Sequence, residues 1–316
     1  MRAVVISSGR LLVEDRPDPV PASGELLVRV RAAGVNGADL LQRKGRYPPP
    51  TGIAPDMPGL EMAGVVEAVG PGTKRYREGD GVMGIVGGGG QAELCVIPEV
   101  CAIAVPESLD WPAAGGFPEV FTTAHDALFT QCGLSRGERV LVTGAAGGVG
   151  VASVQLAGRA GATVVASVRH PGLRDLMAGL GADAVVSPDE EERSGPYDVV
   201  IELVGIAALG THLQALSTGG RVVVIGLTGT GAKAELDAGL LMSKRALVRG
   251  STLRARSVEE KGETARALSR DALSLLASGD IVVPVAQRFP LDRAEEAYDR
   301  FAEGGKLGKI VLEVGS

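Results

Sequence analysis

An apolar strand runs directly into a turn with almost no side chains, and this junction constrains the fold more than any other stretch. The strand covers Arg139–Thr143 and the turn reads GAAGGVG, after which a helical pattern begins. A dinucleotide-binding unit needs such a turn, because the backbone must approach a diphosphate and the helix N-terminus must present free N–H groups to it. Aligned on G-x-G-x-x-G, the first position is Ala145, the third Gly147 and the sixth Gly150.

The turn therefore predicts a dinucleotide-binding site. The residues expected to line its diphosphate are Ala146, Gly147, Gly148, Val149 and Gly150. The alternative is a tight strand–helix turn without a ligand.

Repeating strand–helix units follow this turn. The strands read TVVASV, DAVVS, YDVVIELVG, RVVVIGL and ALVRGS, and they are largely apolar, as parallel strands covered on both faces are. The pattern predicts a doubly wound parallel sheet of the α/β class, in which ligands lie at the carboxyl ends of the strands. Further cofactor contacts are expected at the ends of the fourth and fifth strands, at Val204, Gly205, Ile225, Gly226 and Leu227.

The first third of the chain instead has short strands separated by glycine- and proline-rich turns. A hairpin closed at Ser8-Gly9 is expected there, and the many turns indicate a small barrel or sandwich. From about Ser257 an amphipathic helix ends at Gly279, and a further helix and the strand KIVLEV follow. We interpret this tail as completing the N-terminal domain. The predicted division is 1–118 with 257–316 for one domain and 119–256 for the other.

Composition limits the functional classes. The 316 residues carry a net charge of −6, with 45% hydrophobic and 22% charged residues. An acidic chain without a basic stripe argues against nucleic-acid binding. The sequence shows no signal-peptide h-region and no long apolar run, and its three cysteines suit a reducing cytoplasm. The run DEEER at Asp189–Arg193 is expected to be a solvated loop.

The end of the second strand indicates which dinucleotide binds. An NAD site usually has an acidic residue there for the ribose 2′-hydroxyl. This chain has Arg169, followed by His170 and Arg174, with Ser167 just before them. A cationic end of this kind suits a 2′-phosphate and predicts NADPH as the cofactor. The alternative is that Arg169 is a solvated surface charge.

Several motifs in order make the chain resemble the medium-chain dehydrogenase/reductase superfamily, and within it the zinc-lacking quinone oxidoreductases of the zeta-crystallin type. The motifs are AAGVNGADLLQRKGRYPPP, PGLEMAGVVEAVGPG, GGGGQAELCVIP, TGAAGGVG and the terminal GKIVLEV. The resemblance implies a GroES-like β-rich catalytic domain formed by both chain ends, with the Rossmann cofactor domain inserted. It also implies a homodimer in which the segment ALVRGSTL pairs across subunits.

Zinc is not expected in this chain. The resemblance places a Cys and a His of the zinc dehydrogenases at the positions of Asn36 and Leu60. An amide is a poor zinc ligand and an aliphatic side chain cannot be one. The region between Gly70 and Gln91, where a structural zinc lobe would lie, has no cysteine. A site without a Lewis acid suits acceptors that take hydride readily, namely quinones and activated enones.

The resemblance also implies roles for individual residues. The acceptor would lie near Asn36 and Tyr47, where Asn36 donates an N–H to a quinone oxygen and Tyr47 covers the acceptor. The alternatives are that Asn36 only fixes its loop and that Tyr47 only packs against the neighbouring prolines. Thr123 would lie on the nicotinamide side, and Lys309 would reach the cofactor across the cleft or remain a solvated terminal lysine.

Two other functions remain open at this stage. An NADPH-dependent reductase of α,β-unsaturated carbonyls would use the same scaffold and nearly the same site. A nicotinamide-binding structural or RNA-associated protein with little turnover is the alternative from another class, and the acidic composition weighs against RNA. The expected partner is a small-molecule quinone or enone.

Overall fold

The structure is a computed structural model and describes residues 1–226 and 233–315. The described strands are β1 (Arg2–Ser7), β2 (Arg10–Asp15), β3 (Glu25–Val35), β4 (Glu61–Val69), β5 (Gly81–Ile85), β6 (Leu94–Pro98), β7 (Ala102–Ala104), β8 (Arg139–Val142), β9 (Thr163–Ser167), β10 (Ala184–Val186), β11 (Tyr197–Glu202), β12 (Leu216–Val224), β13 (Leu247–Gly250), β14 (Val285–Pro290) and β15 (Lys309–Glu313). The described helices are α1 (Gly37–Arg43), α2 (Trp111–Gly116), α3 (Pro118–His125), α4 (Gly148–Arg159), α5 (Arg174–Gly179), α6 (Leu209–Gln214), α7 (Ala238–Lys244), α8 (Val258–Ser278) and α9 (Ala294–Glu303). None of these helices combines the length and apolar composition that a bilayer crossing requires.

The chain forms two compact units, each built from separate segments. Unit 1 comprises Met1–Thr122, Leu253–Gly304 and Lys309–Ser316. Unit 2 comprises Thr123–Thr252 and Gly305–Gly308. Both ends of the chain therefore belong to one unit, and the other is an insertion with a short second contribution near the C-terminus.

Unit 1 is built on a mainly antiparallel sheet with the order β14-β15-β3-β4-β5-β7, in which β6 also pairs with β3. The last strand, β15, lies antiparallel to β3, with Ile310 opposite Val35. The tail thus completes the N-terminal sheet. The core of this unit includes Val28, Met62 and Leu312, all fully buried.

The predicted hairpin at the start of the chain is also present. β1 and β2 pair antiparallel with Ser7 opposite Arg10, so that Ser8 and Gly9 form the turn. Both turn residues have positive φ, at 49° and 78°. Two successive residues with positive φ are typical of the tight turns whose twist matches that of paired strands.

Unit 2 is a parallel sheet with the order β10-β9-β8-β11-β12-β13 across the described residues. The chain runs outward from β8 to β10 and then returns to the other side of β8 with β11. This reversal between β8 and β11 is the point where a doubly wound sheet opens a crevice for a ligand. The predicted doubly wound sheet is therefore confirmed, and its central strands are buried, as Leu141, Val165 and Val200 show.

Candidate functional site

Two positions of the glycine-rich turn after β8 favour glycine, each for a different physical reason. Gly144 has φ +56°, a left-handed conformation that other residues adopt at a cost. A Cβ on Gly150 would lie 2.5 Å from the Ala145 Cα, so a side chain there would push α4 away from the turn. These two glycines let the helix start close against the end of the strand.

The start of α4 leaves its N–H groups available. Gly147 is the N-cap and forms no side-chain cap, because it has no side chain. The residues from Ala146 to Val149 are half-buried, and Gly150 is buried. A helix N-terminus with uncapped N–H groups and a partial positive charge fits a diphosphate.

A segment from the far end of the chain lies beside this turn, which the sequence did not indicate. Gly308 donates its N–H to the Ala146 carbonyl at 2.8 Å. Gly308 also bridges to Gly147 as a short parallel pairing. The turn is therefore held from a second side by residues that belong to the same unit.

The ends of β11 and β12 form the adjacent part of the same sheet edge. Val204 is 46% exposed, while Gly205 is buried with φ 155°. A Cβ on Gly226 would lie 2.1 Å from the Leu203 carbonyl oxygen, so this position requires glycine. Ile225 is half-buried beside it. Leu227, which the sequence also predicts to line the site, lies outside the described residues.

The end of β9 carries the predicted cationic group. Arg169 and His170 are exposed, and Arg174 is half-buried at the start of α5. The Arg174 Nε is buried and has no hydrogen-bond partner among the described residues. An unsatisfied guanidinium nitrogen is costly unless an acceptor reaches it, so this group fits an anionic ligand such as a 2′-phosphate.

Ser167, predicted to face the same phosphate, has a different partner. Its hydroxyl donates to the buried Glu191 carboxylate. Glu191 is only 7% exposed, so the prediction that the DEEER run is solvated is wrong for this residue. A carboxylate that accepts several internal hydrogen bonds can be buried where an isolated one cannot.

A buried polar cluster in unit 1 joins the N-terminal and C-terminal parts of the chain. The Lys309 ammonium lies 2.6 Å from Glu61 Oε1 and 2.6 Å from Asn36 Oδ1, and it also donates to the Val35 carbonyl at 3.2 Å. The Asn36 amide in turn donates to Glu61 Oε1 at 2.9 Å. Glu61 is fully buried and Lys309 is 2% exposed. An ammonium has three N–H bonds, and here each has an acceptor inside this unit.

This cluster bears on two predicted site residues. Asn36 does fix its surroundings, but through Glu61 and Lys309. Its amide nitrogen keeps a second N–H beyond the one that Glu61 accepts. Lys309 is buried and not a solvated terminal lysine, and its contact with a cofactor stays a prediction.

Asn36 of this cluster and Leu60 occupy the positions that bear on zinc binding. The two positions that the zinc dehydrogenases fill with ligands hold an amide already paired with an ammonium and the buried side chain of Leu60. Within residues 1–226 and 233–315, no three His, Cys, Asp or Glu side chains are grouped as a metal site. The residues present at Asn36 and Leu60 do not form the donor set that zinc requires.

Two carboxyl groups near this cluster were not singled out from the sequence. Asp39 is fully buried and accepts N–H bonds from Asn36 and Gly59, and burial raises its pKa to about 6. Glu119 as a residue is half-buried. Burial of its carboxyl is the main cause that raises its pKa to about 8, and the nearby Glu61 charge is the second. The Glu119 carboxyl is therefore largely protonated at neutral pH.

Tyr47 lies against a buried arginine. The Arg254 guanidinium is 5.1 Å from the centre of the Tyr47 ring and donates to the Tyr47 carbonyl at 2.9 Å. It also donates to the Gln42 side chain at 2.7 Å and to the Gly87 carbonyl at 2.9 Å. Arg254 thus holds the Tyr47 backbone and ring in place, and no local sequence signal marks it because it is 207 residues away.

Thr123 is the remaining predicted contact, and it is buried at 8% exposure. It lies on α3, four residues after Glu119.

Comparison with known proteins was made against families, curated proteins and solved structures. The alcohol dehydrogenase GroES-like domain family matches residues 22–130, and the zinc-binding dehydrogenase family matches residues 148–270. Quinone oxidoreductase of Rattus norvegicus is 31% identical over 305 residues, which cover 93% of this chain and 90% of that protein.

Two solved structures illustrate the range of the similar proteins. Quinone oxidoreductase from Thermus thermophilus, determined also as its complex with NADPH, superposes with a TM-score of 0.85 and 33% identity over 99% of this chain and 100% of that one. A cobalt- and zinc-bound alcohol dehydrogenase from Pyrobaculum aerophilum superposes with a TM-score of 0.85 and 30% identity over 99% of both chains.

Proposed function

The chain belongs to the medium-chain dehydrogenase/reductase superfamily, as its motifs predicted, and on that premise we propose that it is a zinc-independent, NADPH-dependent quinone oxidoreductase. The observation that carries the proposal is the contact of Lys309 with Asn36 and Glu61. The Lys309 ammonium is thereby fixed in the region where the side chains of the zinc dehydrogenases bind a metal. The quinone oxidoreductases among the similar proteins support the acceptor class.

The cofactor would bind at the carboxyl edge of the unit 2 sheet. The open N-terminus of α4, from Ala146 to Gly150, would hold the diphosphate through backbone N–H groups. Arg169 and Arg174, with His170 beside them, would hold the 2′-phosphate as cations. When bound, the nicotinamide supplies the hydride, and the protein's part is to orient it and exclude water.

The proposed acceptor class follows from the residues at the former zinc positions. In the zinc dehydrogenases a Lewis acid stabilises the alkoxide of the alcohol that is oxidised. A quinone needs no such help, because its reduction yields a stabilised oxyanion. The remaining N–H of Asn36 would donate to that oxygen as charge builds, and Tyr47, held by Arg254, would cover the acceptor.

One observation favours a second candidate function, the reduction of α,β-unsaturated carbonyls. Hydride addition to an enone leaves a carbanion that must receive a proton on carbon. Glu119, with a pKa of about 8, is a carboxylic acid that still carries a proton at neutral pH. A group of this kind can act as a general acid near its own pKa.

The proposal extends to assembly and compartment. We propose a homodimer formed through β13, which is the edge strand of the described sheet and exposes 40% of Leu247. An apolar edge of this kind favours pairing with another strand, and sedimentation velocity would measure the state. The cytoplasm is the proposed compartment, since Cys95, Cys101 and Cys132 are all unpaired.

The experiment that tests the proposal follows the absorbance of NADPH with an ortho-quinone and, separately, with an α,β-unsaturated ketone. Quinone-dependent loss of NADPH is the expected result. Loss with the enone alone would replace the proposal by the second candidate. Cofactor binding without turnover on either acceptor would favour a binding protein.

A further inference from the structure

A chain of buried polar side chains runs beneath the proposed cofactor edge of unit 2. Its members are Ser167, Glu191, His212, Glu202 and Thr143, and each is less than 8% exposed. The His212 ring lies between two carboxylates, with Nε2 2.9 Å from Glu191 and Nδ1 3.2 Å from Glu202. Two buried carboxylates beside one imidazole cost folding free energy unless a positive charge on the ring balances them.

At one end of this series of polar side chains, Glu202 fixes the loop after β11. Glu202 Oε1 accepts N–H bonds from Val204 at 2.7 Å and from Gly205 at 2.9 Å. The same oxygen accepts the Thr143 hydroxyl at 3.0 Å, at the end of β8. Val204 and Gly205 are residues that the sequence predicts to contact the cofactor.

The other end fixes the end of β9. Glu191 accepts the hydroxyl of Ser167, the last residue of that strand and another predicted cofactor contact. The strands are neighbours in the order β9-β8-β11. His212 therefore connects the loops on both sides of the point where the sheet order reverses.

The connection depends on the charge of the ring. Burial disfavours the protonated ring, but the close carboxylates of Glu191 and Glu202 outweigh it and raise the pKa of His212 to about 9. Nε2 forms a hydrogen bond with Glu191, whereas Nδ1 lies 3.2 Å from Glu202 without hydrogen-bond geometry. A neutral ring can keep the first contact, but only the imidazolium attracts both carboxylates by charge.

Other titratable groups on neighbouring elements have partners of their own. The Tyr197 hydroxyl donates to the Glu191 carbonyl at 2.6 Å. On the neighbouring α7, Lys244 donates to the Gln214 carbonyl at 3.0 Å, at the end of α6. Glu191 and Glu202 are thus the charged partners of His212 among the described residues.

We propose that His212 is a positioning residue for the dinucleotide: its imidazolium draws Glu191 and Glu202 together and so fixes the two loops that contact the cofactor. The inference rests on the proposed cofactor site and assigns it a charge-dependent support. Loss of the proton leaves two buried carboxylates without the cation between them, and their repulsion separates the loops. Cofactor affinity then falls when His212, which lies beneath the loops, loses its positive charge.

The test is the Kd of NADPH for the full chain, measured by calorimetry from about pH 7 to about pH 10. In this range the 2′-phosphate, with a second pKa of about 6, and the arginines keep their charge. The wild-type Kd should be constant near neutrality and rise about ten-fold or more once the pH passes the His212 transition. His212→Gln should bind more weakly at neutral pH and show no such transition.

Two further variants separate positioning from general stability. Glu191→Gln removes one of the charges that keep His212 protonated, so the transition should move to lower pH. Glu138 precedes β8 at the opposite edge of the sheet and forms an ion pair with Arg221 of β12. Glu138→Gln breaks this pair and should leave the Kd and its pH profile unchanged.

The outcomes are distinct. Equal Kd values and pH profiles for the wild type and His212→Gln would overturn the inference while the cofactor site stands. If His212→Gln fails to fold, an unmoved transition in Glu191→Gln overturns it instead. Absence of NADPH binding by the wild type at neutral pH would remove the proposed function itself, together with this inference.

Discussion

The Lys309 ammonium and the Glu61 carboxylate lie 2.6 Å apart, and both side chains are almost completely removed from solvent. They come from strands at opposite ends of the chain, β15 and β4. Each charge is stabilised mainly by the other and by Asn36, because water cannot reach them. The pair therefore ties the C-terminal strand into the N-terminal sheet at the centre of the proposed acceptor site.

Removing one member of this pair should be strongly destabilising. Lys309→Met leaves Glu61 as an uncompensated buried charge, and we expect a loss of about 3–5 kcal/mol in the free energy of unfolding. Combining it with Glu61→Gln removes the unpaired charge and should restore much of that loss. Urea denaturation of both variants measures the difference.

A surface ion pair is the matched control. Arg29 and Glu67 lie 2.5 Å apart with about half of the arginine side chain exposed. Arg29→Met should cost no more than about 1 kcal/mol. Equal losses for Lys309→Met and Arg29→Met would show that the buried pair has no special role.

Glu119 predicts a particular pH dependence of stability. Its folded pKa of about 8 lies above the ordinary value of 4.5. Its contribution is therefore fully present below the unfolded pKa and is lost as pH rises toward and through about 8, with a slope of at most about 1.4 kcal/mol per pH unit. Glu119→Gln should flatten stability between these pKa values, as thermal or urea unfolding at several pH values would show. An unchanged slope would mean that this carboxyl is already ionised in the folded protein.

Reversal of the charge at Arg169 should act on the phosphorylated cofactor alone. Arg169→Asp should raise the KM for NADPH by about ten-fold or more and have little effect on that for NADH. Arg136→Asp is the control, because Arg136 is exposed and precedes β8, at the opposite edge of the sheet. Initial-rate kinetics with each nucleotide measure the ratio. Equal effects on both cofactors would place the 2′-phosphate elsewhere.

The packing of α4 on the glycine turn predicts an unusual effect of alanine. Gly→Ala within a helix normally stabilises it by about 1 kcal/mol. At Gly150 the added Cβ would meet the Ala145 backbone at 2.5 Å, so Gly150→Ala should instead destabilise by about 1–3 kcal/mol. Gly210→Ala in α6, where the Cβ meets nothing within 4 Å, should be neutral or stabilising. A neutral Gly150→Ala would show that the turn can relax.

Which features could be predicted from the sequence depends on how far apart the interacting residues lie along the chain. The turn from Gly144 to Gly150 could be predicted, because its glycines and the strand and helix around it are contiguous. The contact of Lys309 with Glu61 spans 248 residues, and no local pattern encodes it. A run of charges usually indicates a solvated loop, whereas Glu191 is buried because a hydroxyl and a histidine remote in sequence contact its carboxylate.

The central claim is hydride transfer from NADPH without a metal, and one measurement tests it most directly. Quinone-dependent NADPH oxidation by the purified protein is followed before and after dialysis against a chelator, with zinc measured by mass spectrometry in the same samples. The account predicts an unchanged turnover rate and no stoichiometric zinc in either sample. A stoichiometric zinc ion whose removal abolishes turnover, and whose return restores it, would contradict the account.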